Sequence, residues 1–213
     1  MSKEPVILLT GFEPFGPHKV NPSGEIARAL DGHTVSGVVV RSLILPVHQT
    51  QATAALERVL DTLDPLAILQ LGLAAGRMRI ALERAALNVL DYPMPDAEGA
   101  QPHNRPCVPG GPAAYWSRLP LDAILGTLTA EGIPACVSNT AGTYLCNQVM
   151  YWTLHRLAER GALTPAGFIH LPLLPSMVAA TGTDEPSMDL PLMWRAVEVA
   201  LAVVARAAGA AAS

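Results

Sequence analysis

The sequence predicts a single α/β domain, residues 1–213, built on a largely parallel sheet. Three observations carry that reading. Short apolar runs, Pro5–Thr10, Leu66–Leu71 and Gly167–Leu171, are too continuous for strands with one wet face and suit strands buried on both. Between them lie segments with apolar residues at helical spacing. No repeat, low-complexity linker or shift in composition divides the chain.

In chain order, the first strand (Pro5–Thr10) is followed by Gly11-Phe12-Glu13-Pro14-Phe15-Gly16-Pro17, whose glycines and prolines bar a regular element. Asn21-Pro22-Ser23 reads as a helix start and Asp31-Gly32 as its stop. Val38–Val47 is the second strand. Ala52, Ala55, Leu56, Val59 and Leu63 make a helix over 48–63, ended by Asp64-Pro65. Leu66–Leu71 follows as the third strand. From Met78 to Leu90, helix and strand compete and periodicity does not decide. Asp91–Pro112 holds six prolines and three glycines in 22 residues, the composition of a long functional or mobile loop. Leu121–Glu131 is a helix, and Ile133–Val137 a strand. Leu145, Val149, Trp152 and Leu157 space the next helix. Gly167–Leu171 is a strand stopped by Pro172. A C-terminal helix through Leu190, Met193, Val197, Leu201 and Val204 ends in a weakly constrained Ala-rich tail.

Half the residues are apolar and 15% are charged, so a large core can form and some apolar surface is expected between subunits of a homo-oligomer. A net charge of −4 without a basic cluster argues against nucleic acid or an anionic membrane as partner. No apolar run reaches 18 residues, and MSKEPVILLTG lacks a basic leader, so a cytoplasmic protein is expected. Three cysteines make no disulfide framework. Without CxxC, HExxH, GxGxxG, a P-loop or GxSxG, no metal or cofactor is expected, and no serine nucleophile elbow.

Chemistry centres on Cys146. A strand, the polar turn Ser138–Thr143 and a helix would bring its thiol into the first turns, where unpaired amides and the helix dipole favour an anion. A buried core cysteine would show the same local pattern. His170 ends a short strand just before Pro172, which in a parallel sheet is the carboxyl edge, shared with the turn before Cys146. It could equally be a core histidine bonded to a carbonyl. Glu83 sits in Ile80-Ala81-Leu82-Glu83-Arg84-Ala85-Ala86-Leu87, where a carboxylate must be paired; Arg84 offers a plain ion pair. Asp91 and Asp96 compete with it as groups that could orient a histidine. Cys107 and Cys136 read as bystanders, Cys136 buried in its strand.

Several blocks then converge on one family. Gly11-Phe12-Glu13-Pro14-Phe15-Gly16 with Asn21-Pro22-Ser23, Gly76-Arg77 ahead of Glu83–Asn88, and Pro95–Gly99 are three of them. Gly110–Tyr115, Ser138–Asn147 and Gly167–His170 complete the set. In that order they resemble the type I pyroglutamyl peptidases. The resemblance implies a three-layer α/β/α domain with a twisted mixed sheet, often a tetramer, and a cysteine peptidase acting on peptides with N-terminal pyroglutamate. It implies Cys146 as nucleophile, His170 as base and acid, and Glu83 as orienting carboxylate. Phe12, Phe15, Leu73, Met94, Tyr144 and Leu145 fall where the family lines its ring pocket. Pro93 stands where relatives often carry Arg. The competing class is a nucleoside-binding α/β protein of the phosphorylase kind.

Overall fold

The computed structural model describes residues 5–212. The first residues, on which the expectation about a leader partly rests, lie outside that range. A seven-stranded sheet carries helices on both faces. Its strands are β1 (Val6–Phe12), β2 (Thr34–Val35), β3 (Val38–Leu45), β4 (Ala67–Leu73), β5 (Ile80–Glu83), β8 (Ala135–Ser138) and β9 (Ala166–Leu171). They lie in the order β2-β3-β1-β4-β9-β5-β8. Strands β3, β1, β4 and β9 run parallel; β5 is antiparallel to β9, and β8 is parallel to β5. A small hairpin of β6 (Ala85–Leu87) and β7 (Ala114–Trp116) stands apart.

One face is covered by α1 (Pro22–Leu30), α3 (Leu121–Ala130) and α6 (Leu190–Ala212), the other by α2 (Gln49–Thr62) and α4 (Leu145–Glu159). Alternation along the central strands feeds both layers: Leu69, Leu71, Ile169 and Leu171 point to the first, Ile68 and Phe168 to the second. A short helix, α5 (Pro175–Thr181), follows β9 almost at once. Its start lies inside Leu171-Pro172-Leu173-Leu174-Pro175, whose prolines hide it in the sequence.

The sheet is largely parallel and mixed, as expected, but His170 does not share its carboxyl edge with the turn before Cys146. Because β8 runs against β9, Ser138 lies level with Glu83 and so with Phe168, not at the edge beyond His170. The turn 139–144 must travel back along the sheet before α4 begins. The undecided stretch 78–90 is two short strands, β5 and β6. The C-terminal tail continues α6 through Ala212, since alanine is the best intrinsic helix former.

Residues 91–112 form an ordered structure without regular elements. Asp96, only 5% exposed, accepts the amides of Gln49, Glu98 and Ala100, so this loop caps α2 from outside. The Tyr92 hydroxyl donates to Gln148, and Gln148 donates to the Gln49 carbonyl. The Thr143 hydroxyl donates to Asp91 O and that of Tyr144 to Pro95 O. No described helix is long and apolar enough to cross a membrane.

Candidate active site

Helix α4 begins with Tyr144 as N-cap and no side chain bonded to its first amides. Cys146 is therefore the second helical residue, among N–H groups that the helix itself leaves without acceptors. Asn147 anchors that turn: its Oδ1 accepts from Leu87 N at 2.8 Å, and its Nδ2 donates to Leu87 O and Val89 O. The sulfur rests over Gly72 of β4. A Cβ at residue 72 would lie 2.9 Å from it and 2.6 Å from the Phe168 ring, so only glycine admits the helix this close.

Gly72 is paired with His170 on β9, which brings the imidazole beside the sulfur. His170 is 4% exposed, and its Nδ1 lies 2.7 Å from Glu83 Oε1. With that nitrogen engaged, Nε2 is the one left for the sulfur. Burial opposes charge on the ring, but the negative charge and hydrogen bond of the Cys146 sulfur outweigh it. Those of Glu83 add to this, and the pKa rises to about 9. The imidazole thus holds its proton at neutral pH.

Glu83 is fully buried. Its cationic partner is Arg77, with Nη2 3.5 Å from Oε1, not the neighbouring Arg84, which points outward and donates to Asn139 at 2.7 Å. Alternation along β5 accounts for the difference, since adjacent residues face opposite ways. Arg77 is also steadied by Ser138 Oγ at 3.2 Å. Asp91 and Asp96 are elsewhere: Asp91 meets His103 and Asp96 caps α2. Neither orients His170.

A cavity of about 110 Å³ opens onto the sulfur. Phe12, Phe15, Leu73, Tyr144 and Leu145 line it, as do His18, Val20, Asn21 and Val47, which sequence reasoning did not single out. Met94 lies outside this lining, 51% exposed, because Tyr92 is the residue of that loop that turns inward. Tyr92 packs edge-on against Tyr144, which in turn meets Phe15, a chain of rings that stiffens one cavity wall.

The other two cysteines take no part. Cys107 donates weakly to Leu87 O and Val89 O, and burial pushes its thiol up to about 12. Cys136 is half-buried, less enclosed than its strand suggested, beside Arg77 and Arg79. No cluster of three or more His, Cys, Asp or Glu that could hold a metal occurs among the described residues.

A thiol at a helix start, an imidazole and a buried carboxylate in series, beside an apolar cavity on an α/β sheet, define the class of cysteine hydrolases. Within that class the chain belongs to the pyroglutamyl peptidase family, which matches residues 5–207. It is 46% identical over 200 residues to a pyrrolidone-carboxylate peptidase of Klebsiella pneumoniae, covering 94% of this chain and 92% of that one. It is 43% identical over 200 residues to the pyrrolidone-carboxylate peptidase of Pyrococcus furiosus, covering 92% and 96%. The crystal structure of Bacillus amyloliquefaciens pyroglutamyl peptidase I superposes with a TM-score of 0.91 at 36% identity, covering 95% of this chain and 98% of that one.

Proposed function

We infer that this protein is a cysteine exopeptidase that removes N-terminal pyroglutamate from peptides, with Cys146 as nucleophile, His170 as general base and acid, and Glu83 as the carboxylate that holds His170. The observation that carries the assignment is the series itself: sulfur, imidazole and a fully buried carboxylate 2.7 Å from Nδ1, beside an apolar cavity.

The lactam ring of pyroglutamate is uncharged, and an apolar cavity walled by Phe12, Phe15, Leu73, Tyr144 and Leu145 suits it. Met94 has no part in that wall. The thiolate of Cys146 attacks the carbonyl carbon that joins pyroglutamate to the next residue, forming a C–S bond. The developing oxyanion takes a hydrogen bond from the Cys146 amide, which no capping side chain occupies. The C–N bond breaks as His170 Nε2 gives its proton to the leaving amine. A water molecule, losing a proton to His170, then attacks the thioester, and pyroglutamate leaves as the thiolate and imidazolium are restored. Glu83 fixes the tautomer throughout by accepting from Nδ1. Three free cysteines suit the reducing conditions of the cytoplasm.

The test is release of aminomethylcoumarin from its pyroglutamyl derivative by the unaltered protein, by Cys146→Ser and after iodoacetamide. The unaltered protein should turn over; the Cys146→Ser protein, folded by circular dichroism, should not; alkylation mapped to Cys146 should stop the reaction. Retained turnover in Cys146→Ser removes the nucleophile assignment.

A further inference from the structure

A second groove lies beside the ring cavity. His18 and Val20 line the cavity, and the same two side chains form one wall of this shallower groove of about 330 Å³. Pro17 and Lys19 complete that wall. Met177, Ala180 and Thr181 of α5 stand opposite. The two walls grow from neighbouring places in the fold. Segment 13–20 leaves the carboxyl end of β1, α5 follows the carboxyl end of β9, and β4 lies between those strands. Leu73, the last residue of β4, belongs to the ring cavity. The groove therefore lies beyond the same sheet edge over which the sulfur sits, next to the cavity, with His18 and Val20 common to both.

The proposed reaction gives that adjacency a direction. With pyroglutamate in the cavity and its carbonyl at Cys146, the leaving amine must depart where His170 can protonate it. Residue 170 is followed within five residues by Pro175, where α5 starts. The chain beyond the scissile bond is thereby led toward α5. We propose that the groove between residues 17–20 and α5 holds the residue that follows pyroglutamate in the substrate, and that it selects an uncharged, preferably apolar side chain there. Pro17, Val20, Met177 and Ala180 give it an apolar lining, and Lys19 is the one formally charged side chain in that lining apart from His18, with no ion-pair partner among the described residues. A basic residue following pyroglutamate would leave water beside Lys19 and face its repulsion. This rests on the peptidase reading above.

The experiment compares kcat/KM for pyroGlu-Leu-NH2, pyroGlu-Lys-NH2 and pyroGlu-Gly-NH2. It uses the unaltered protein, Ala180→Glu, and Lys19→Glu on the opposite wall. Ala180 and Lys19 are both exposed, so neither change opens the core. The unaltered protein should favour leucine over lysine. Each variant places a carboxylate in the groove and should raise the lysine-to-leucine ratio by about tenfold, the size of one close, partly screened charge contact. A ratio that stays put in both folded variants, while pyroGlu-Gly-NH2 is still cleaved by the unaltered protein, overturns the groove and leaves the peptidase reading intact. No cleavage of any of the three by the unaltered protein removes the peptidase reading, and the groove with it.

Discussion

Gly72→Ala tests the close approach on which the site depends. The new methyl would lie 2.6 Å from Phe168 Cζ and 2.9 Å from the Cys146 sulfur, where ordinary contacts begin near 3.4 Å. The ring edge must then retreat by about 0.8 Å and the sulfur by about 0.5 Å, and the buried ring has no free room. Phe168 is fully buried and packed against His170 at 4.8 Å between ring centroids, so moving it disturbs the imidazole as well. Over-packing of this kind costs about 1–3 kcal/mol of stability. Misplacement by about 1 Å costs roughly a hundredfold in rate, so half that displacement should lower kcat/KM by roughly tenfold or more. Urea unfolding gives the first quantity and pyroglutamyl-aminomethylcoumarin hydrolysis the second. A Gly72→Ala protein with unchanged kcat/KM would refute the claim that the sulfur, the ring and β4 are in mutual contact.

Further outcomes follow from the hydrogen bonds. His170 must be protonated to serve the leaving amine, so kcat/KM should fall as pH rises through about 9. Glu83 helps hold that proton, so Glu83→Gln should cut the rate by less than His170→Ala does and move this basic limb to lower pH; an unmoved limb would deny Glu83 its part. Asp96→Ala leaves the amides of Gln49, Glu98 and Ala100 without their acceptor and should cost about 1–3 kcal/mol in urea unfolding. Burial pushes the Asp96 carboxyl up, but those three amides outweigh it and lower its pKa. Its stabilisation is thus present above the ordinary carboxylate range and is lost as pH falls through it, so the difference between Asp96→Ala and the unaltered protein should shrink in acid. A constant difference would remove Asp96 from the capping role.

Much of the fold was legible because the central strands are buried on both faces and read as unbroken apolar runs. One cap was legible too: Asn21 Oδ1 accepts from Ser23 N, as Asn-Pro-Ser suggested, whereas His48, read as the first helical residue, is the N-cap of α2, its Nδ1 facing Thr50 N and Gln51 N. What failed was what periodicity cannot encode. Strand β5 is four residues long and β6 three, too short to declare a period, and β2 has only two. Strand direction is set by how the chain crosses the sheet, so the antiparallel run of β5 and β8 left no local trace. At the site, Cys146 alone looked like an ordinary core cysteine, and only distant segments around Glu83 and His170 gave it a setting. Arg77 was visible as Gly76-Arg77 but without a partner, because its contact with Glu83 arises across a loop. Tyr92, not Met94, turned inward, a choice made by the acceptor on Gln148.

The reversed strand also explains why the carboxylate is a glutamate. In the antiparallel pairing of β5 with β9, the residue directly across from His170 is Ala81, while Glu83 is across from Phe168. Residues 81 and 83 share one face of the sheet with 168 and 170, since side chains repeat every second position. Glu83 is therefore the diagonal neighbour of His170. Diagonal neighbours stand about 7–8 Å apart, a span within reach of long side chains. The small Ala81 leaves the lane open, and a glutamate crosses it to within 2.7 Å of Nδ1. An aspartate at 83, one methylene shorter, would stop short of the ring. A parallel β5 would have aimed the same carboxylate by a different register, with nothing to keep Ala81 opposite the histidine. The direction of one four-residue strand thus decides which acid can serve the imidazole, and the length of that acid's side chain is the mark it leaves in the sequence.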